Sequence, residues 1–134
     1  MMAAVLQITP AEWDVMEILW QHDQACTAAE VIEQLQATHD WNHRTIRTLL
    51  ARLVEKQAVG ADSLGTKYAY YPLATREQCV RQEVRTLAQR LFGGDTGALL
   101  VQFIAETPLK PDQIEQLQQL LDQSSAKLKS KRKP

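Results

Sequence analysis

The stretch Asn42–Gln57, N-H-R-T-I-R-T-L-L-A-R-L-V-E-K-Q, decides how the rest of the chain is read. Ile46, Leu49, Leu50, Leu53 and Val54 fall at i, i+3, i+4, i+7 and i+8, one continuous apolar stripe of an α-helix. Arg44, Arg47, Thr48, Ala51 and Arg52 share the opposite face, with His43 at its start. Asn42 stands where an N-cap belongs, because its side-chain oxygen can take an otherwise unpaired N–H of the first turn. The chemistry of that face suits a DNA major groove. Arginine forks onto guanine O6 and N7, and Thr48 and Ala51 are small enough to let the backbone approach and touch a thymine methyl. Taken alone, the same pattern also describes an ordinary amphipathic helix with a solvated basic face, so its surroundings decide.

Upstream, Thr9-Pro10-Ala11-Glu12 combines an N-cap, a proline at the first helical position and a capping-box glutamate. Val15, Met16, Leu19 and Trp20 form the inner arc of the helix that follows, with Trp13 and Ile18 at its margins and Asp14, Glu17 and Gln21 on the wet side. Thr27-Ala28-Ala29-Glu30 repeats the capping box, and Ala28, Val31, Ile32 and Leu35 give a second helix its buried stripe. Two short helices before a basic third match a helix-turn-helix core.

Downstream the period changes to that of strands. Val59–Leu64 and Lys67–Tyr71 flank Gly65-Thr66, which predicts a β-hairpin that Pro72 ends. A hairpin directly after the third helix is the wing of a winged helix, and Lys67 near its tip is placed to meet a phosphate. Tyr68, Tyr70 and Tyr71 can stack on bases, although such residues more often pack a strand against helices. Thr75-Arg76-Glu77-Gln78 is a third capping signature, opening a long helix whose Val80, Val84, Leu87 and Leu91 follow a narrow 4-3-4 seam. Gly93-Gly94 breaks it. A fifth helix from Thr96 to Glu106 carries Leu99, Leu100, Val101, Phe103 and Ile104 and has little polar face. A helix that apolar needs burial, and a chain this small implies a second subunit to supply it. Pro111 starts a sixth helix in which Ile114, Leu117, Leu121 and Leu128 continue the seam.

The expected architecture is mainly α with a small β-hairpin. A winged-helix DNA-binding domain spans residues 1–74, a helical dimerisation domain spans 75–126, and a basic, disordered tail occupies 127–134.

Composition agrees. The 134 residues, 45% apolar and 6% aromatic, fit one small domain with an appendage and an aliphatic core. No run approaches 18 apolar residues, and no basic region precedes an apolar segment at the N-terminus, so a cytoplasmic protein with no membrane insertion is expected. Cys26 and Cys79 then read as reduced thiols, small buried residues that could sense oxidant only if exposed and of low pKa. The net charge of −1 hides a segregation: residues 1–41 hold seven acids and no lysine or arginine, residues 42–57 hold four basic residues and one acid, and the last eight residues add five positive charges. Such a chain does not coat nucleic acid indiscriminately, but it can present one basic surface. Enzyme motifs are missing: no H-E-x-x-H, no Gly-rich phosphate loop, no G-x-S-x-G. His22, His39 and His43 lie in separate elements without metal-ligand spacing, so no metal, cofactor or catalytic residue is expected.

The strings Ile8–Trp20 (I-T-P-A-E-W-D-V-M-E-I-L-W), Asp40–Leu53 (D-W-N-H-R-T-I-R-T-L-L-A-R-L) and Y-A-Y-Y-P from Tyr68, with the later L-L-V-Q-F-I from Leu99, resemble the penicillinase-repressor family of BlaI/MecI type over roughly residues 7–122. The resemblance implies a cytoplasmic homodimeric transcriptional repressor on a palindromic operator of β-lactamase or related resistance genes. It also implies release when a membrane-bound zinc metalloprotease sensor, activated by antibiotic, leads to cleavage in the dimerisation domain. Three departures stand out. The family commonly has glycine just after the recognition helix, where this chain has Gln57. Its scissile bond is typically Asn–Phe, where this chain has Gln102-Phe103. Its copper-responsive branch carries C-terminal C-x-C pairs, whose absence here argues against copper sensing. A winged helix that grips an acidic protein through its basic face, or a repressor wired to another signal, remains the alternative.

Overall fold

The computed structural model describes residues 7–132. Among them, six helices and three strands follow in the order α1 (Pro10–Trp20), β1 (Cys26–Thr27), α2 (Ala28–Gln36), α3 (His43–Glu55), β2 (Val59–Leu64), β3 (Lys67–Pro72), α4 (Arg76–Phe92), α5 (Thr96–Glu106) and α6 (Pro111–Arg132). The chain divides into two compact units, Met1–Leu87 and Ala88–Pro134. The division falls inside α4 rather than at residue 74. The reason is local: Trp20 Nε1 donates to the Ala74 carbonyl at 3.0 Å, Arg76 Nε donates to Glu17 Oε1 at 3.1 Å, and Cys79 is buried in the first core.

The helices of the first unit begin where their caps stand. Thr9 and Thr27 accept from the N–H groups of Glu12 and Glu30 at 3.2 Å, and each glutamate accepts from its threonine's N–H at 2.9 Å. Thr75 and Gln78 form the same reciprocal pair ahead of α4. Around these starts the core closes: Val15, Met16 and Leu19 of α1, Val31 and Leu35 of α2, and Ile46, Leu49, Leu50 and Leu53 of α3 are all at most 5% exposed. Burying each of these side chains stabilises the fold by about 1.5–3 kcal/mol. Val54, expected on the same stripe, is 36% exposed, because at i+8 the helix has turned it to the margin. Ile32 and Trp20 are half-buried.

The sheet departs from a bare hairpin. It has three strands in the order β1-β3-β2, all antiparallel, with Cys26 opposite Tyr70 and Thr27 opposite Ala69. Two residues are too few to show a strand period in sequence, so β1 was invisible there. The hairpin runs from Val59 opposite Pro72 to Leu64 opposite Lys67. Gly65 at its turn has φ 68°, a left-handed conformation that glycine adopts without a Cβ clash. Gly60, opposite Tyr71, has a different reason: a Cβ there would lie 2.4 Å from the tyrosine ring.

In the second unit Asp95 caps α5, its Oδ1 accepting from Ala98 N–H at 3.0 Å. Leu99 is buried, but Leu100, Val101, Phe103 and Ile104 are 38–67% exposed, so the burial that their sequence calls for is not met within one chain. On α6, Ile114, Leu120, Leu121 and Leu128 are 43–58% exposed. The tail expected to be disordered from residue 127 instead continues α6 to Arg132, since Ala, Leu, Lys and Arg are strong helix formers; Lys133 and Pro134 lie outside the described residues.

Candidate nucleic-acid interface

Helix α3 carries the candidate surface. Its N-cap is Asn42, whose Oδ1 accepts from Thr45 N–H at 2.9 Å and from the Thr45 hydroxyl at 3.1 Å. With Ile46, Leu49, Leu50 and Leu53 locked into the core, His43, Arg44, Arg47, Thr48, Ala51 and Arg52 are all exposed. The three arginines enter no ion pair among the described residues.

The turn before α3 is fastened at several points. His39 Nε2 lies 3.3 Å from Asp14 Oδ2 on α1, its ring sits 4.3 Å from that of Trp41, and Gln36 Nε2 donates to the Trp41 carbonyl at 3.1 Å. These contacts fix the direction in which α3 presents its basic face.

The far end of α3 is fastened differently. Lys56 Nζ donates to Glu12 Oε1 at 2.5 Å and to the Gln7 carbonyl at 2.7 Å. Lys56 therefore belongs to the scaffold, and the basic face proper consists of arginines. Glu12 is 1% exposed. Burial alone would raise its pKa, but the Lys56 hydrogen bond and charge, with the Thr9 hydrogen bonds, outweigh that and hold it below the ordinary carboxylate value. After Lys56 the chain turns through Gln57 at φ 66°. Gln57 N–H donates to the Val54 carbonyl and Ala58 N–H to the Leu53 carbonyl, both at 3.0 Å, the paired bonds of a Schellman motif. The non-glycine helix end expected from the sequence is present in its left-handed form.

The wing brings further residues to α3. Thr27, Ala28 and Ala29 at the start of α2, Arg47 of α3, and Thr66, Lys67, Tyr68 and Tyr70 of the wing line one cleft of about 200 Å³. Arg47 and Lys67, singled out in sequence, thus meet, whereas Arg44, Thr48, Ala51 and Arg52 lie outside that cleft. Thr27, Ala29 and Thr66 were missed, and Tyr68 was read with the other wing tyrosines as more often a packing residue. The signals for them were the second capping box, which locates the start of α2, and the alternation of β3, which puts Tyr68 on the same face as Tyr70. The tyrosines separate by environment: Tyr70 packs against the core and Tyr71 covers Gly60, but Tyr68 is 55% exposed.

The sequence matches the profile of the penicillinase repressors over residues 8–123. The chain belongs to the penicillinase-repressor family. That family consists of transcriptional repressors, not enzymes. Similar members include the methicillin resistance regulatory protein MecI of Staphylococcus aureus strain N315, 30% identical over 116 residues that span 87% of this chain and 94% of that protein. The penicillinase repressor of Bacillus licheniformis is 29% identical over 122 residues, 91% of this chain and 94% of that one. Among solved structures, the DNA-binding domain of the repressor BlaI is 34% identical with a TM-score of 0.52, covering 57% of this chain and 93% of its own. The first unit shares the winged-helix fold of that BlaI domain.

The remaining residues singled out in sequence lie on α4, α5 and α6. Val80, Leu87 and Leu117 are half-buried, Val84 is 40% and Leu91 58% exposed, and Gln102 and Phe103 lie on the exposed side of α5. Gln102 Nε2 donates to Glu106 Oε1 at 2.9 Å. Cys26 and Cys79 are unbridged and buried; burial pushes both thiols up, with the Glu30 charge adding to the effect at Cys26, so neither is primed to react with oxidant. No helix among the described residues is long and apolar enough to cross a membrane.

Proposed function

We propose that this chain acts in the cytoplasm as a homodimeric repressor on a palindromic operator of β-lactamase-type or related resistance genes, and that cleavage in its second unit releases it. The observation that carries the reading is the exposed face of α3: Arg44, Arg47, Thr48, Ala51 and Arg52, with Asn42 and His43 at its start, stand opposite a fully buried stripe and beside Lys67 of the wing. Arginines and small residues on one ridge are what direct readout of base edges needs. The relatives named as penicillinase repressor and MecI support the gene class.

Homodimerisation is supported by the apolar side chains that one chain leaves in water. Val101, Phe103, Leu120 and Leu121 are each more than half exposed, and a second copy covering Leu91, Leu100, Ile104 and Ile114 with them removes that cost, whereas Leu99 is already buried and Leu117 half-buried in one chain. Val80, Val84 and Leu87 extend the same seam. The bond Gln102-Phe103 sits where the family is cut, on a helix that has to unwind locally before a protease can hold it. Cleavage there divides the dimerisation residues and leaves the reading helix intact. A membrane-bound metalloprotease sensor is the partner that this release requires.

A gel shift on the promoter of the chain's own gene tests the reading. Retarded operator with unretarded random duplex is expected; equal retardation of both, or of neither, contradicts it. Two half-sites one or two helical turns apart should appear in the footprint.

A further inference from the structure

We infer that the cleft between α2, α3 and the wing is the seat of one DNA backbone phosphate, held by Arg47, Lys67 and Tyr68, so that Arg47 positions the protein on DNA while base reading falls to Arg44, Thr48, Ala51 and Arg52. This rests on the DNA-binding reading above and assigns a division of labour within it.

Three observations carry it. Arg44, Thr48 and Ala51, at i, i+4 and i+7, form the ridge farthest from the buried stripe. Arg47 and Arg52 stand on the two flanks of that ridge, and of these only Arg47 lines the cleft with the wing. Second, the groups meeting there are hydrogen-bond donors: a guanidinium, an ammonium, and the hydroxyls of Tyr68 and Thr66, with no carboxylate in the lining. Third, the cleft of about 200 Å³ falls below the ~300 Å³ at which small-molecule pockets begin, yet holds several times the ~30 Å³ share of a water. An anionic group on a larger ligand fits that space, and β1 pairing with β3 ties the start of α2 to the wing. Tyr68 also gains a role. Its neighbours Tyr70 and Tyr71 pack, whereas Tyr68 keeps its phenol 55% exposed beside Arg47.

Anisotropy titrations of the full-length protein on an operator duplex and a length-matched random duplex, across a salt series, test this. Arg47→Ala is expected to weaken binding to both duplexes by the same factor, about tenfold, and to make the salt slope shallower by about one. Tyr68→Phe, which removes one neutral hydroxyl and leaves the fold alone, should weaken both equally with the slope unchanged. A methylphosphonate walked along the operator should identify one linkage per half-site whose neutralisation weakens wild type but not Arg47→Ala. Inorganic phosphate should compete no better than chloride at equal ionic strength; saturable competition makes the cleft a free-phosphate site and overturns the proposal. An Arg47→Ala loss confined to the operator makes Arg47 a base reader and overturns the clamp alone. Wild-type protein that binds neither duplex, or only an acidic peptide, overturns the DNA reading with it.

Discussion

At the scale of single residues, the ion pair between Glu12 and Lys56 shows how a charge is kept in the core. The Glu12 carboxylate has two partners: the Thr9 N–H through the capping box and Lys56 through a charged hydrogen bond. Removing the lysine leaves an uncompensated buried carboxylate, so Lys56→Met is expected to cost about 3 kcal/mol at pH 7, read from denaturant midpoints. The pH dependence follows from the direction of the shift. A carboxyl held below its ordinary value contributes stability that is fully present above the unfolded pKa of about 4.3 and is lost as pH falls through the lower folded value. In Lys56→Met burial raises the Glu12 pKa instead, so the gap between the two proteins should narrow as pH falls from above the ordinary carboxylate value to the lower folded value of wild type; a gap constant from pH 7 to pH 3 contradicts the pairing. In sequence, Glu12 was legible only as half of a capping box and Lys56 only as one more positive charge on the basic segment. Their meeting depends on packing α1 against α3, across 44 residues, and no local pattern encodes it. The residues proposed to read bases were legible because their face is defined by what it opposes. Arg44→Ala and Arg52→Ala are each expected to lower the preference for operator over random duplex by about 1–3 kcal/mol; an equal loss on both duplexes demotes either to a phosphate contact.

At the scale of elements, the first four helix starts announced themselves through threonine or asparagine caps, because capping is a contact between residues three apart. The end of α3 was legible as an anomaly. Gln57 at φ 66° occupies a position that glycine holds without strain, so Gln57→Gly is expected to stabilise the first unit by about 1 kcal/mol, measured as a raised denaturant midpoint. A lowered midpoint would mean that the Gln57 side chain makes a contact that outweighs the strain. The opposite outcome is expected at Gly60, where an alanine methyl collides with the Tyr71 ring; Gly60→Ala should destabilise by about 1–3 kcal/mol. What sequence missed at this scale were β1, which is two residues long, and the true extent of α6. Charge repulsion in the run from Lys127 suggested disorder, but its residues favour helix. Truncation after residue 126 is expected to leave sequence preference intact while flattening the salt dependence of binding, if α6 carries its charges to DNA; an altered preference would make the tail a reader.

At the scale of the whole molecule, the apolar seam of the last three helices was legible as a pattern without a partner, and the same side chains remain exposed in one chain. A single winged helix offers few base contacts, so the proposed dimer gains selectivity by presenting two at high effective concentration, worth roughly 10²–10⁴ in affinity. The proposed cleavage at Gln102-Phe103 would then work by removing the link between readers and not by altering either one. Sedimentation velocity of wild type and Phe103→Asp, run alongside operator titration at matched concentrations, tests this most directly. Wild type should sediment as a dimer and saturate one palindrome per dimer. Phe103→Asp should sediment as a monomer with its winged helix folded, and should bind the full operator 10²–10⁴ times more weakly. A charged variant that stays dimeric, or a monomer that still holds the full operator as tightly as wild type, contradicts it.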